Sequence, residues 1–192
     1  MVCGLDEVGR GALAGPVTAA GVILPKNHNI KGLDDSKNLS QKRRQEMEEV
    51  IKDKALCYEI KSCDSSIIDK YNVSEAVKIA MVHIVNNLKV NPEKVLVDGR
   101  IQLEGLDVPQ ESIEKGDERI DCIKAASILA KEYRDKLMKD LYNKKYPQYN
   151  FKSNVGYSTK EHRQALEEFG SCSIHRTSYN SVPDHNNNRE GK

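Results

Sequence analysis

The chain has 192 residues, with 30 Lys and Arg set against 29 Asp and Glu for a formal net charge of +1. That balance by itself points to no partner, and 38% hydrophobic residues suffice for one core, expected as a single α/β domain over residues 1–182. No apolar run approaches the roughly 20 residues of a membrane span, so no membrane partner is expected.

Along the chain, "MVCGLD" and "VTAAGVILP" read as buried strands joined by the glycine-rich turn of "GLDEVGRGALAG". Ser40 to Lys54 has a charged helical pattern, and "ALCYEIKSC" alternates Leu56, Tyr58 and Ile60 as a half-buried strand. Ser74 to Leu88 puts Val77, Ala80, Met81, Ile84, Val85 and Leu88 on one helical stripe. "KVLVDG" is a short central strand ending in Asp98 and Gly99. From Asp117 a long helix is expected, with a stripe of Ile123, Ser127, Ala130, Leu137 and Leu141, and small residues at 125–127 that let it approach a sheet. A last helix opens at "STKE", where Ser158 and Glu161 match a capping box, and ends near Gly170. The order implies a mixed sheet flanked by helices. From about 146 to 182 a helical C-terminal extension is expected, followed by a frayed polar tail at 183–192.

The N-terminus lacks the basic and apolar regions of a secretion signal. Cys3, Cys57, Cys63, Cys122 and Cys172 are scattered, odd in number and without a CxxC pair, which fits reduced thiols in the cytoplasm. Basic residues gather at 37–44 and 131–152, where a solvated helix face is the simplest account and a polyphosphate ligand the other.

Four acids stand out. Asp6 and Glu7 are adjacent, so in a strand they point to opposite faces unless the chain bends. Gly9 and Gly11 permit a bend and leave amides bare, although a surface turn with an Arg10–Glu7 ion pair explains the stretch about as well. Asp98 sits at a strand's carboxyl end, where α/β sheets bind ligands, or merely begins an Asp-Gly turn. Asp117, taken alone, is a helix N-cap. Together these acids at strand ends suit Mg²⁺ or Mn²⁺, which prefer hard oxygen ligands, better than zinc. Cys172 and His175 have a C-x₂-H spacing without a second pair, so no zinc site is expected.

The motifs "GLDEVGRGALAGP", "DDSKNLS", "VLVDG", "KGD", "AASILAKEYRD", "NVGYSTKEH" and "HRTSY" occur in this order from Gly4 to about Val182. In this the chain resembles ribonuclease HII, the bacterial type 2 ribonuclease H. The resemblance implies a ribonuclease H-like mixed sheet with helices on both faces and a small helical C-terminal part. It also implies that the extra N-terminal domain of ribonuclease HIII is absent. Asp6, Glu7, Asp98 and Asp117 match the family's metal-binding carboxylates. Gly9, Arg10 and Gly11 match its sensor of the ribose 2′-OH, and Tyr157 its tyrosine on the following sugar. Ser36 and Lys37 match a phosphate-contacting element. Ser127 and Lys131 are further substrate-contact candidates on the long helix, with Arg134 beside them as a residue that either faces phosphates or meets solvent. Arg176 lies in the family's "HR" element, counted among substrate contacts, with a backbone-holding role also open to it and to His175.

The implied activity is two-metal hydrolysis of the RNA strand of RNA–DNA hybrids, with cutting 5′ of a ribonucleotide embedded in duplex DNA. It serves ribonucleotide removal and RNA primer processing, by a monomer. Ala12, Glu132, Tyr179 and Ser181 depart from the family pattern (often Pro, Val, Phe and Pro) without touching the acids. Two other readings compete: a junction resolvase, which needs no 2′-OH reader, and a nucleic-acid-binding module with a dead site, against which the full set of acids argues.

Overall fold

The computed structural model describes residues 1–183, so the expected tail beyond Pro183 lies outside the described residues. The chain forms two compact units. The first comprises Met1–Val8, Thr18–Ser62 and Val77–Tyr133; the second comprises Gly9–Val17, Cys63–Ala76 and the chain from Arg134 onward.

The first unit holds a mixed sheet of β1 (Val2–Val8), β2 (Val17–Ile23), β3 (Cys57–Cys63), β4 (Lys94–Asp98) and β5 (Gln110–Ile113), in the order β3-β2-β1-β4-β5. β1 runs antiparallel to β2 and parallel to β4, and β4 runs parallel to β5. The helices are α1 (Gln41–Lys54), α2 (Ser65–Asn87), α3 (Gly116–Arg119) and α4 (Asp121–Lys136). Met47 and Ile51 of α1 pack with Ala125, Ala126 and Leu129 of α4 around Ala20 and Val22 of β2. Ile84 of α2 presses on Gly21, whose place in the alternation is the opposite face. Each fully buried Ile or Met here contributes about 1.5–3 kcal/mol. The N-terminal turn of α4 approaches β1 so closely that a Cβ on Gly4 would strike the backbone of Cys122 and Ile123, so the small residue that permits this contact is on the strand.

Ser40 caps α1 by accepting from the Arg43 N–H at 3.3 Å. The stripe expected from Val77 to Leu88 is buried at every named position. The helix begins earlier, however, at Ser65, and is interrupted at Asn72, with φ 66°. The Asn72 side chain accepts from the amides of Ser74 and Glu75, which restarts the helix where the sequence pattern resumes.

Three expectations change. β3 lies at the sheet edge with Cys57 and Cys63 buried, while Leu56 and Tyr58 are 48% and 39% exposed. Of the expected apolar face, Ile60 does pack against the core shared by α1 and α4, so residues of both phases of this strand are covered. The helix from Asp117 is broken at Ile120, which is extended. After Lys136 a π-helical stretch, Leu137–Tyr142, rotates the phase, so Met138 is buried and Leu141 is 54% exposed. The last helix, Lys160–Phe169, is capped by Thr159, one residue later than Ser158; Gly170 ends it with φ 72°.

The second unit carries the helical C-terminal part. Its core gathers Leu13, Met138, Tyr149, Phe151 and Leu166. The segment after the GRG turn is tied in by backbone bonds, Leu13 N–H to Gly156 O at 2.8 Å and Gly15 N–H to Ile174 O at 2.8 Å.

Candidate functional site

The parallel ladder between β1 and β4 ends at the pair Leu5–Val97, so Asp6 and Asp98 are the next residues on two adjacent strands, about 4.8 Å apart along the sheet. β1 stays regular through both of its acids, pairing Asp6 with Ala20 and Glu7 with Ala19. Asp6 is therefore on the α4 face and 5% exposed, and Glu7 projects the other way. The Asp6 carboxylate accepts from the Glu7 amide at 2.7 Å. Asp98 accepts from the amides of Gly116 and Asp117 at 2.7 and 3.2 Å, which ties α3 to the end of β4. Asp117 caps nothing: Lys115 precedes α3 in a left-handed conformation, and the Asp117 carboxylate instead meets Lys37 Nζ at 2.8 Å.

Electrostatics marks these acids as a strained set. Burial, then Glu7, then Asp98 push the Asp6 carboxyl well above its ordinary range. Burial and Asp117 push Asp98 up as well. The Asp117 bond holds the Lys37 ammonium above its usual range, so that it stays charged. Like charges gathered at strand ends favour a cation. The donors are all hard oxygens, so by chemistry they fit Mg²⁺ or Mn²⁺. Among the described residues, no three His, Cys, Asp or Glu side chains stand ready around one metal position.

Ser36 and Ser127 are both buried and share a hydrogen bond of 2.9 Å. Lys131 is half-buried on α4. The loop carrying Ser36 and Lys37 has a clamp not foreseen from the sequence. Arg44 donates to the carbonyls of Ser36 and Leu39 at 3.3 and 2.7 Å and pairs with buried Glu132 at 2.7 Å. Glu132 was legible only as a departure from the family pattern.

In the second unit, Gly9 has φ 94° and Gly11 is exposed. Arg10 donates to Ser74 Oγ at 3.0 Å. Its carbonyl is held twice, by Arg176 Nη1 at 2.8 Å and Tyr179 OH at 2.6 Å. Arg176 also reaches Gly15 O and has no exposed surface. Of the two roles open to Arg176 from the sequence, its side chain makes the backbone-holding one. Arg134, expected at phosphates or in solvent, is likewise fully buried. Tyr157 is half-buried, with the Arg134 guanidinium 5.4 Å from its ring centre.

Behind Tyr157 stands a histidine pair. The Tyr157 carbonyl only accepts, so His162 Nδ1 carries a proton to it at 2.9 Å, and His162 Nε2 accepts from His175 Nε2 at 2.9 Å. His175 Nδ1 then accepts from the Cys172 amide, with the Cys172 thiol 3.1 Å away. This chain closes only with both rings neutral, and burial holds His162 below its ordinary range. Because the folded value is depressed, its stabilisation is complete above pH ~6.5 and is lost as pH falls through the folded value. His162→Gln is expected to cost about 1–3 kcal/mol at pH 7, and that deficit is expected to shrink toward pH 5 in thermal melts; a deficit constant with pH would refute the neutral-pair reading.

The ribonuclease HII family model matches residues 3–182, which takes in both units. The ribonuclease HII of Endomicrobium trichonymphae is 48% identical over 183 residues, 95% of this chain and 87% of that protein. Among solved structures, the ribonuclease H2 of Pyrococcus horikoshii superposes with a TM-score of 0.82 at 24% identity, covering 94% of each chain. RNase HII from Archaeoglobus fulgidus, solved as a complex with PCNA, gives 0.79 at 27%, covering 96% of this chain and 98% of that one.

Proposed function

Since this chain belongs to the ribonuclease HII family, we propose that it cuts duplex DNA on the 5′ side of an embedded ribonucleotide, leaving 3′-OH and 5′-phosphate ends. Members of the family are metal-dependent endoribonucleases acting on RNA–DNA hybrids. The observation that supports the finer reading is the placement of Asp6 and Asp98 just beyond the last pair of the parallel ladder between β1 and β4, with Asp117 tied to Asp98 through its amide.

In this reading Asp6, Glu7, Asp98 and Asp117 would hold Mg²⁺ or Mn²⁺ through their carboxylate oxygens. When bound, such cations would supply Lewis-acid activation of a water and charge neutralisation at the departing 3′ oxygen. The protein's own part is to gather the acids, keep Asp6 dry, and present substrate. Lys37, whose side chain is 76% exposed, exchanges the Asp117 carboxylate for a substrate phosphate. Lys131 supports the same backbone, while buried Ser36 and Ser127 shape the floor beneath it. The amides of Gly9, Arg10 and Gly11 read the 2′-OH, the group that separates RNA from DNA, and Tyr157 packs on the next sugar. Five buried cysteines outside any disulfide support a reducing cytoplasm, where a monomer would serve ribonucleotide removal and primer processing.

The test is a DNA duplex with one ribonucleotide, beside an all-DNA duplex and a long hybrid, each with Mg²⁺, Mn²⁺ or chelator. Cleavage of the first and third only, and only with metal, is expected; cutting of all-DNA would indicate a nuclease that does not read the sugar. Relief of carboxylate repulsion is also measurable without substrate. At about 100 times its Kd, a divalent cation should stabilise the fold by about 2.7 kcal/mol, seen as a rise in Tm; no rise at millimolar Mg²⁺ or Mn²⁺ would count against these acids as ligands.

A further inference from the structure

Arg134 is a charged side chain with no exposed surface. Such a group is retained where its geometry is used. All three of its donor positions go to backbone carbonyls. Nε donates to Pro16 O at 2.8 Å, Nη1 to Val155 O at 2.9 Å, and Nη2 to Ala14 O at 3.1 Å. Two of these carbonyls belong to the segment that follows the GRG turn, and the third lies two residues before Tyr157. The central carbon of the same guanidinium lies over the Tyr157 ring, 5.4 Å from its centre. Gly9 abuts its edge, so a Cβ there would overlap Nε. One rigid, planar group thus touches the first glycine of the turn, the segment leaving it, and the aromatic ring.

We propose that Arg134 is a positioning residue for ribonucleotide recognition, locking the Gly9–Pro16 segment and the Tyr157 ring into one fixed spacing. The inference rests on the reading above of the turn and Tyr157 as the sugar-reading elements. Burial pushes the Arg134 guanidinium down to about 10, so it remains charged at neutral pH and keeps its hold on the ring and carbonyls. Lysine keeps the charge but is a single point with flexible reach, and it cannot serve three carbonyls in a plane.

The experiment compares kcat/KM for a duplex with one ribonucleotide against kcat/KM for a long RNA–DNA hybrid. It uses the wild type, R134K, Y157A and the double variant. The ratio of the two values does not depend on how much of each preparation is folded, so a merely structural loss leaves it unmoved. A single ribonucleotide offers one register, whereas a hybrid offers many and tolerates misplacement. R134K is expected to lower the single-site ratio about tenfold, the scale of a sub-ångström to ångström misplacement. Y157A is expected to lower it as well, and the double variant no further than the stronger single. Should R134K not fold, Arg134→Gln, which keeps one planar donor group but cannot serve three carbonyls, is expected to shift the ratio in the same direction. An unchanged ratio in the folded variant, or independent multiplication of the two effects, would overturn the positioning role while leaving Tyr157 as a reader. An unchanged ratio in Y157A would remove the sugar-reading premise, and the role of Arg134 with it.

Discussion

Asp98→Asn is expected to lower kcat by about 10³-fold or more while leaving the fold intact. The substitution is nearly isosteric, and an asparagine oxygen can still accept from the Gly116 and Asp117 amides that the carboxylate now holds. What it removes is charge. Burial and the neighbouring Asp117 raise the Asp98 carboxyl, so its ionised form is disfavoured in the folded chain. A raised acid costs stability as pH climbs above its unfolded value near 3.9 and through its folded value. Asp98→Asn should therefore compare better with the wild type in Tm at pH 7 than at pH 4. Stability gained where activity is lost is the behaviour of a site that gathers like charges for a ligand. Activity close to wild type would remove Asp98 from the chemistry, and a collapse in Tm would make its role structural.

The second large effect separates the two glycines of the turn. Gly11→Ala should leave stability within about 0.5 kcal/mol, because a Cβ at this exposed position meets nothing within 4 Å. It should nevertheless lower kcat/KM on a single-ribonucleotide duplex about tenfold or more, since a methyl would stand where the sugar must approach the backbone. Gly9→Ala, by contrast, should cost about 1–3 kcal/mol, being at φ 94° and against Arg134. The Arg10 carbonyl between them is pinned by Arg176 and Tyr179, which leaves the amide side of the turn for a ligand. Thermal melts and single-turnover cleavage on the same preparations check both. A Gly11→Ala enzyme with normal kcat/KM would mean that the turn does not touch substrate.

Much of the frame was legible in the residues. Runs such as "KVLVDG" end in an acid because the strand stops there, and β4 does end at Asp98. The stripe from Val77 to Leu88 gave one buried face correctly because apolar spacing is a local signal. β5 was missed, since "QESI" is short and polar; its place comes from pairing with β4 rather than from its own pattern. The π-helical turn was missed for a related reason: a regular period cannot announce the residue at which it slips.

Candidate residues divided in the same way. Motif matches singled out the acids, but not that Asp117 meets Lys37 rather than capping a helix. Arg134 looked like a surface cation or phosphate contact because composition puts arginine outside, whereas a backbone-holding role was open to Arg176. Apart from Val155, the carbonyls these two arginines bind lie more than a hundred residues away in sequence, which no local spacing reveals. The His162–His175 pair was hidden similarly, although Cys172 and His175 had drawn notice for a metal spacing.

In the proposed reaction, water activated at the four acids attacks the phosphate on the 5′ side of a ribonucleotide. The most direct measurement is end-group analysis of a labelled duplex carrying one ribonucleotide, cut in Mg²⁺ or Mn²⁺. One break immediately 5′ of the ribonucleotide is expected, with a 3′-OH on the upstream fragment and a 5′-phosphate on the downstream one. A break on the 3′ side leaving a 2′,3′-cyclic phosphate would contradict it, because the nucleophile would then be the ribose hydroxyl.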